Sequence, residues 1–153
     1  MAGPVHLGRR PRLPAHPLTQ IQRVGAYGIC RDAAGRFLLV RASARSTVPG
    51  RWFLPGGGVE HGEEPLDSLR RELFEETGLV LGAATLRGVL TDTLTRPGGV
   101  AVHAIRLVYG VERWEGELRP ETDGSSDEAT WFEPDALPQL AMPYVVEALA
   151  RFS

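Results

Sequence analysis

Gly56-Gly-Gly-Val-Glu60-His-Gly-Glu-Glu-Pro65-Leu-Asp-Ser-Leu-Arg70-Arg-Glu-Leu-Phe-Glu75-Glu-Thr-Gly-Leu79 is the stretch on which the reading of this chain turns. A glycine-rich loop runs into a single helical pattern. Pro65 suits the first helical turn, where its missing N–H costs nothing. Gly78 suits the position that ends a helix. Between them Leu66, Leu69 and Leu73 recur at helical spacing and predict a buried stripe. At about 100° per residue, Glu72 and Glu76 lie about 40° apart beside that stripe, with Glu75 about 60° to the other side of Glu72. Three carboxylates within one turn repel one another, and a dication between them offsets the repulsion. Mg²⁺ takes a few carboxylates together with waters and phosphate oxygens, so its ligand chemistry fits this layout. The single cysteine, Cys30, rules out an intramolecular disulfide and a cysteine metal cluster, and no paired histidines suggest zinc.

Working outward, Trp52-Phe-Leu54 is a short apolar strand entering the glycines. Upstream, Ile21–Cys30 and Phe37–Val40 read as strands joined by the turn Asp32-Ala-Ala-Gly35, together a hairpin. Residues 41–51 form a polar loop. Downstream, Leu79–Thr93 and Val100–Val111 read as a second hairpin through Arg96-Pro-Gly-Gly99. Residues 112–127 read as a long acidic loop, followed by a strand over Ala129–Phe132. Asp135–Leu140 reads as a short helical turn, and Pro143–Phe152 as a closing amphipathic helix. Residues 1–20 are rich in Pro, Arg, His and Gly without apolar periodicity and predict a flexible basic extension before one domain over 21–153.

The 153 residues are 42% hydrophobic and 24% charged, ordinary for one globular domain. No run approaches the roughly 18 apolar residues of a membrane helix. No apolar segment follows the basic N-terminus as a secretory signal requires, so a cytoplasmic protein is expected. Cys30, in an apolar run, is expected to be a buried, inert thiol. The formal charge of -2 is unevenly spread. Residues 21–55 carry six arginines against Asp32, whereas residues 56–80 carry seven acids against Arg70 and Arg71. Carboxylates for a metal beside arginines for phosphates suit a metal-bound polyanion. Every basic residue is arginine, which excludes lysine Schiff-base chemistry.

The spacing carries more than the chemistry. Gly57, five residues, Glu63, seven residues, Arg71-Glu72-Leu73, one residue, Glu75-Glu76, one residue, Gly78-Leu79 resembles the full signature of the Nudix hydrolase family. Leu54-Pro55-Gly56 before it is also typical of that family. A chance match is on the order of one in a billion per window. The resemblance implies an α/β/α sandwich around a mixed sheet. It implies that Glu72, Glu75 and Glu76 hold Mg²⁺ or Mn²⁺, with the Gly56 carbonyl adding a ligand. It also implies a Glu63–Arg71 pair bracing loop against helix, with Gly57 and Gly78 as structural positions of the signature.

The implied reaction is attack of water on a phosphorus of a nucleoside diphosphate linked to another group. Its general base is expected at Glu72 or, from the later loop, Glu128, with Asp127, Asp123 and Glu121 ranked behind. Arg41 is expected to contact phosphate, with Arg51 and Arg45 as further candidates. Trp52 and Trp131 are candidates for stacking a base, though core roles are favoured, and His61 is expected to be a spectator. The expected substrate is a small nucleoside diphosphate derivative, ADP-ribose or a nucleoside diphosphate sugar. The alternatives are a (deoxy)nucleoside triphosphate, or a non-hydrolysing nucleotide sensor. No membrane partner is expected, nucleic acid is not favoured, and a homodimer is an open expectation.

Overall fold

The computed structural model describes residues 19–153. The basic extension read over residues 1–20 thus lies outside the described residues, apart from Thr19 and Gln20. The elements follow as β1 (Thr19–Cys30), β2 (Phe37–Ala42), β3 (Trp52–Phe53), β4 (Gly56–Gly58), α1 (Pro65–Thr77), β5 (Val80–Arg96), β6 (Val100–Glu115), β7 (Ser126–Phe132) and α2 (Pro143–Phe152). They form a four-stranded sheet in the order β4-β1-β6-β5 and a three-stranded sheet in the order β3-β2-β7. The larger sheet is mixed, with β1 parallel to β6 and the other neighbours antiparallel. α1 packs on one side, over Ala26, Cys30, Leu38 and Val111. α2 packs on the other, over Ile29, Leu39, Leu90 and Val108. This is the expected α/β/α arrangement around a mixed sheet.

The sequence accounts for the two-sided core. Strands covered on both faces read as continuous apolar runs rather than alternations. β1 sends Ala26 and Cys30 toward α1 and Ile29 toward α2, and β2 sends Leu38 one way and Phe37 and Leu39 the other. In α1, Leu69 and Leu73 are fully buried, each contributing roughly 1.5–3 kcal/mol of transfer free energy. Pro65 opens the helix, and Gly78, at φ 77°, closes it by donating its N–H to the Phe74 carbonyl. Cys30 is buried, and desolvation pushes its thiol up to about 12.

The structure corrects three readings of local structure. The Asp32–Gly35 turn forms, with Asp32 accepting from the backbone N–H groups of Ala34 and Arg36. Yet β1 and β2 are not a paired hairpin. One bridge, Arg31 to Phe37, joins them before they part into different sheets. Both edges of β1 are already taken, by β4 and β6, so β2 has no edge to pair with. The acidic loop is shorter than read, because β6 runs on to Glu115 opposite Val80 and β7 starts at Ser126. Residues 135–140 form turns and no helix, since Pro138, in the middle of the segment, lacks the N–H a helix would need and disfavours helical geometry at Leu137. The β5–β6 hairpin turns at Arg96–Gly99 and extends further than read at both ends.

Candidate active site

The glycine loop enters the larger sheet as its edge strand. Gly56, Gly57 and Gly58 pair with Tyr27, Ala26 and Gly25. α1 then returns along this edge and brings its carboxylates to the loop. Glu76 is 6% exposed, and its Oε1 accepts the Gly56 N–H at 2.8 Å. The helical wheel placed Glu76 beside the leucine stripe; in the fold it belongs to the buried face. Desolvation drives its carboxyl well above the usual range, opposed by the Gly56 N–H and reinforced by Glu72, Glu121 and Glu75. Glu72 is half-buried and also raised, again chiefly by burial, with Arg71 pulling it down. Glu75 stands out at the surface, its side chain 48% exposed, 3.5 Å from Arg71.

Arg71 is the hub of the loop–helix junction. Its Nε and Nη2 donate to the two oxygens of Glu63 at 3.0 and 3.1 Å, and its Nη1 donates to Glu72 at 3.0 Å. Glu63 also accepts the Glu60 N–H. The Arg71 guanidinium, with that N–H, holds the Glu63 carboxyl down at about 2 from an ordinary 4.5. A depressed native value gives stability that is present above pH 4.5 and lost as pH falls through about 2. Glu63→Gln should therefore flatten the acid limb of Tm against pH and lower activity about 10- to 100-fold, as loss of an outer support does at a metal site. An unchanged acid limb would mean that the pair contributes nothing to the native state.

Among the described residues no group of three potential ligands is already converged on a metal position. Glu72 is turned to Arg71, Glu76 to Gly56, and Glu75 to solvent. The donor set nonetheless fits a dication. Glu76 and Glu72 are neighbouring acids whose ionisation is opposed chiefly by burial and by nearby carboxylates, Glu72 acting on Glu76 and Glu75 and Glu121 on both, and a cation offsets these costs. A Cβ on Gly57 would lie 2.8 Å from the Glu72 carboxylate, so the loop leaves room there that any other residue would fill.

Glu72, Glu76 and Gly56–Gly58 form one end of a cavity of about 420 Å³, a usual size for a small-molecule site. Its floor comes from β1 and β6, with Arg23, Tyr27 and Arg106, and one wall from the tip of the β5–β6 hairpin, Leu94–Pro97. The opposite wall joins the two loops flanking the smaller sheet. Ser46, Thr47 and Val48 come from one and Ser125 from the other, with Ser126 where the second loop enters β7. These loops are tied by Ser43 N–H to the Ser125 carbonyl, Ser43 Oγ to the Gly124 carbonyl, and Arg45 to the Asp123 carbonyl. Burial raises the Tyr27 phenol, Arg23 and Arg106 lower it, and Glu76 and Glu72 raise it again, so both signs of charge act on its hydroxyl.

Several candidates from the sequence stand elsewhere. Val40 and Ala42 line the cavity, so strand alternation turns Arg41 to the other face of β2. There it pairs with Asp127 at 2.8 Å and Glu128 at 2.9 Å, and lies 5.8 Å over the Trp52 ring. Glu128, opposite Arg41 in the β2–β7 ladder, is thus also outside the cavity lining. Arg51 is exposed and not part of the lining. Trp52 packs edge-on against Phe132 in the core, and Trp131 lies against Trp114. His61 is exposed in the loop. Glu121, ranked last among the loop acids, is the one whose charge reaches both Glu72 and Glu76; its Oε2 is held by the N–H and Oγ of Ser126. The sequence reading passed over Arg106, although the alternation Val102, Ala104, Arg106, Val108 marks it as an inward position.

A buried and a half-buried carboxylate beside a glycine edge strand open on a cavity of small-molecule size, an arrangement whose chemistry suits a metal-bound phosphate anhydride. The NUDIX domain family matches residues 21–152, and the chain belongs to the Nudix hydrolases, enzymes that act on pyrophosphate bonds of small nucleotide derivatives with a divalent metal. It is 32% identical over 136 residues to an ADP-ribose pyrophosphatase of Methanocaldococcus jannaschii, covering 89% of this chain and 73% of that protein. It is 31% identical over 130 residues to a MutT-like protein of Streptomyces ambofaciens, covering 84% and 76%. The crystal structure of a MutT NUDIX hydrolase from Burkholderia pseudomallei superposes with a TM-score of 0.75 at 31% identity, covering 87% of this chain and 99% of that one. Among the described residues no helix is long and apolar enough to cross a membrane.

Proposed function

We propose that the chain is a Mg²⁺- or Mn²⁺-dependent pyrophosphohydrolase of a nucleoside diphosphate sugar, ADP-ribose first, with a (deoxy)nucleoside triphosphate as the second reading. The carrying observation is the placement of Glu72 and Glu76 at one end of the 420 Å³ cavity, while Val48, Phe53, Leu94 and Met142 supply apolar surface for a nucleoside elsewhere in it. The likeness to the ADP-ribose pyrophosphatase of M. jannaschii supports the first substrate.

Glu72, Glu76 and, from the surface, Glu75 would hold the metal, with the Gly56 carbonyl as a further oxygen. Bound there, a dication neutralises diphosphate charge and lowers the pKa of water. Gly56 and Arg71 orient the two inner carboxylates through hydrogen bonds at 2.8 and 3.0 Å. Glu72, which lines the cavity with a raised pKa, is our preferred acceptor for the proton of the attacking water, with Glu121 as the adjacent loop acid. Glu128 is a weaker candidate, because Arg41 and Thr130 already engage its carboxylate on the other face of the strand pair.

Product chromatography with Mg²⁺ or Mn²⁺ against a nucleotide panel tests this reading. ADP-ribose should give AMP and ribose 5-phosphate, and Glu128→Gln should keep turnover within a few-fold of wild type. Tight ADP-ribose binding without turnover under any divalent metal would replace the enzyme with a non-hydrolysing sensor.

A further inference from the structure

Among the described residues, Arg106 holds the one fully buried side-chain polar atom without a hydrogen-bond partner, its Nη1. The residue is 7% exposed on the cavity floor. Nη1 forms an ion pair with Asp92 Oδ2 at 2.9 Å, without the geometry of a full hydrogen bond. The guanidinium is held by stacking, its Cζ 4.3 Å from the centre of the Tyr144 ring. A guanidinium carries five N–H donors, and an ion pair through Nη1 with a half-exposed carboxylate leaves donor capacity on the cavity side. Arg23, on the same face of β1, adds a second and more exposed guanidinium beside Gly58. The acids among the lining residues are Glu72 and Glu76, on the glycine-loop side, and Arg23 reaches Gly58 on that side while Arg106 stands further across the floor.

Strand register places the two ends. Gly58 pairs with Gly25, and Gly25 with Arg106, so the Arg106 backbone lies two strand spacings, about 10 Å, from the glycine loop. A guanidinium presents N–H groups in a fork that matches the oxygens of phosphate or carboxylate. We infer that Arg106, assisted by Arg23, forms an anion subsite that receives an oxyanion group of the substrate apart from the carboxylate end, and thereby helps select the substrate. This rests on the cavity being the substrate site. The oxyanion is either the substrate's diphosphate reaching across or a further phosphate beyond it.

Inorganic phosphate titrated into ¹⁵N-labelled protein in EDTA, at low salt, tests the subsite without metal or turnover. Saturable amide shifts are expected at Gly25 and Arg106. Arg106→Gln should weaken the phosphate Kd about tenfold or more, the loss of a charge-assisted hydrogen bond. Arg23→Ala, at an exposed position, should weaken it less. Asp92→Asn should tighten it, because Asp92 competes for the same guanidinium. A purely structural Arg106–Asp92 pair would not give that sign, and the Asp92 variant decides the matter even where Arg106→Gln fails to fold. Absence of saturable shifts, or phosphate binding unchanged in Asp92→Asn and Arg23→Ala, overturns the subsite. Failure of the nucleotide panel would leave these readouts untouched, so the two proposals fail separately. With an active enzyme, Arg23→Ala should raise KM more than it lowers kcat. A larger KM effect for a triphosphate than for ADP-ribose identifies a further phosphate as the anion, equal effects identify the diphosphate, and no effect on either overturns the inference.

Discussion

Glu76→Gln is expected to lower turnover by at least about 10³-fold, the scale on which loss of a preorganised electrostatic partner acts, while the metal-free protein becomes more stable at neutral pH. The two effects have one origin. Glu76 is a buried carboxylate whose native pKa is raised by desolvation and by neighbouring acids. Its protonated form therefore favours the native state. That contribution is fully present below the ordinary value of 4.5 and is lost as pH rises through the raised native value. Glutamine keeps an oxygen to accept the Gly56 N–H and carries no charge to bury. In EDTA the wild type should lose Tm with rising pH across this window, and the variant should lose less, the remainder coming from Glu72. A divalent metal should restore the wild type, increasingly so at higher pH, because ligand carboxylates must be deprotonated. Full turnover in Glu76→Gln would remove Glu76 from the metal set. A Tm profile in EDTA identical to wild type would show that the carboxylate is not buried as described.

Gly56→Ala should cost about 3 kcal/mol or more in stability and abolish activity with it. The new Cβ would lie 2.2 Å from the Ala26 carbonyl oxygen and 2.7 Å from the Tyr27 Cα. Both are backbone atoms of β1, so no side chain can move aside, and the φ of 138° is itself strained for alanine. Relief requires β4 to part from β1, which withdraws the Gly56 N–H from Glu76. Gly62→Ala is the matched control from the same loop. Its φ is also positive, at 80°, but nothing lies within 4 Å of the added methyl. It should cost only the conformational term of about 1–2 kcal/mol. Chemical denaturation of the two variants separates the terms. Equal costs would mean that the β4–β1 approach is looser than the ladder indicates.

Local patterns carried much of the architecture. The α1 boundaries follow from Pro65 and Gly78, and its buried face from the leucine spacing, since helix periodicity and capping are properties of neighbouring residues. The β5–β6 hairpin likewise follows from Arg96-Pro-Gly-Gly99 between two apolar runs. The β1–β2 reading failed because a turn determines that the chain reverses, whereas pairing depends on which strands claim the free edges. The acidic loop was read too long because Glu112 and Glu115 are polar yet lie in a ladder, where pairing is made by the backbone.

The site divides along the same line. The spacing from Gly56 to Leu79 by itself determined which residues meet at the loop–helix junction, because one short loop and one rigid helix set their separations. Arg71 reaches Glu63 and Glu72, and Glu76 reaches Gly56, within this segment. What faces that junction was decided only by the tertiary structure. Whether Arg41 or Val40 looks into the cavity depends on the sheet that β2 joins, and a strand exchanges its two faces at each residue. Arg106 lies some thirty residues beyond α1 in sequence but two strands from the glycine loop in space, brought there by the parallel pairing of β1 with β6. The loop–helix edge with its carboxylates is thus a local property of this chain, whereas the cavity beside it is a property of how the strands are ordered.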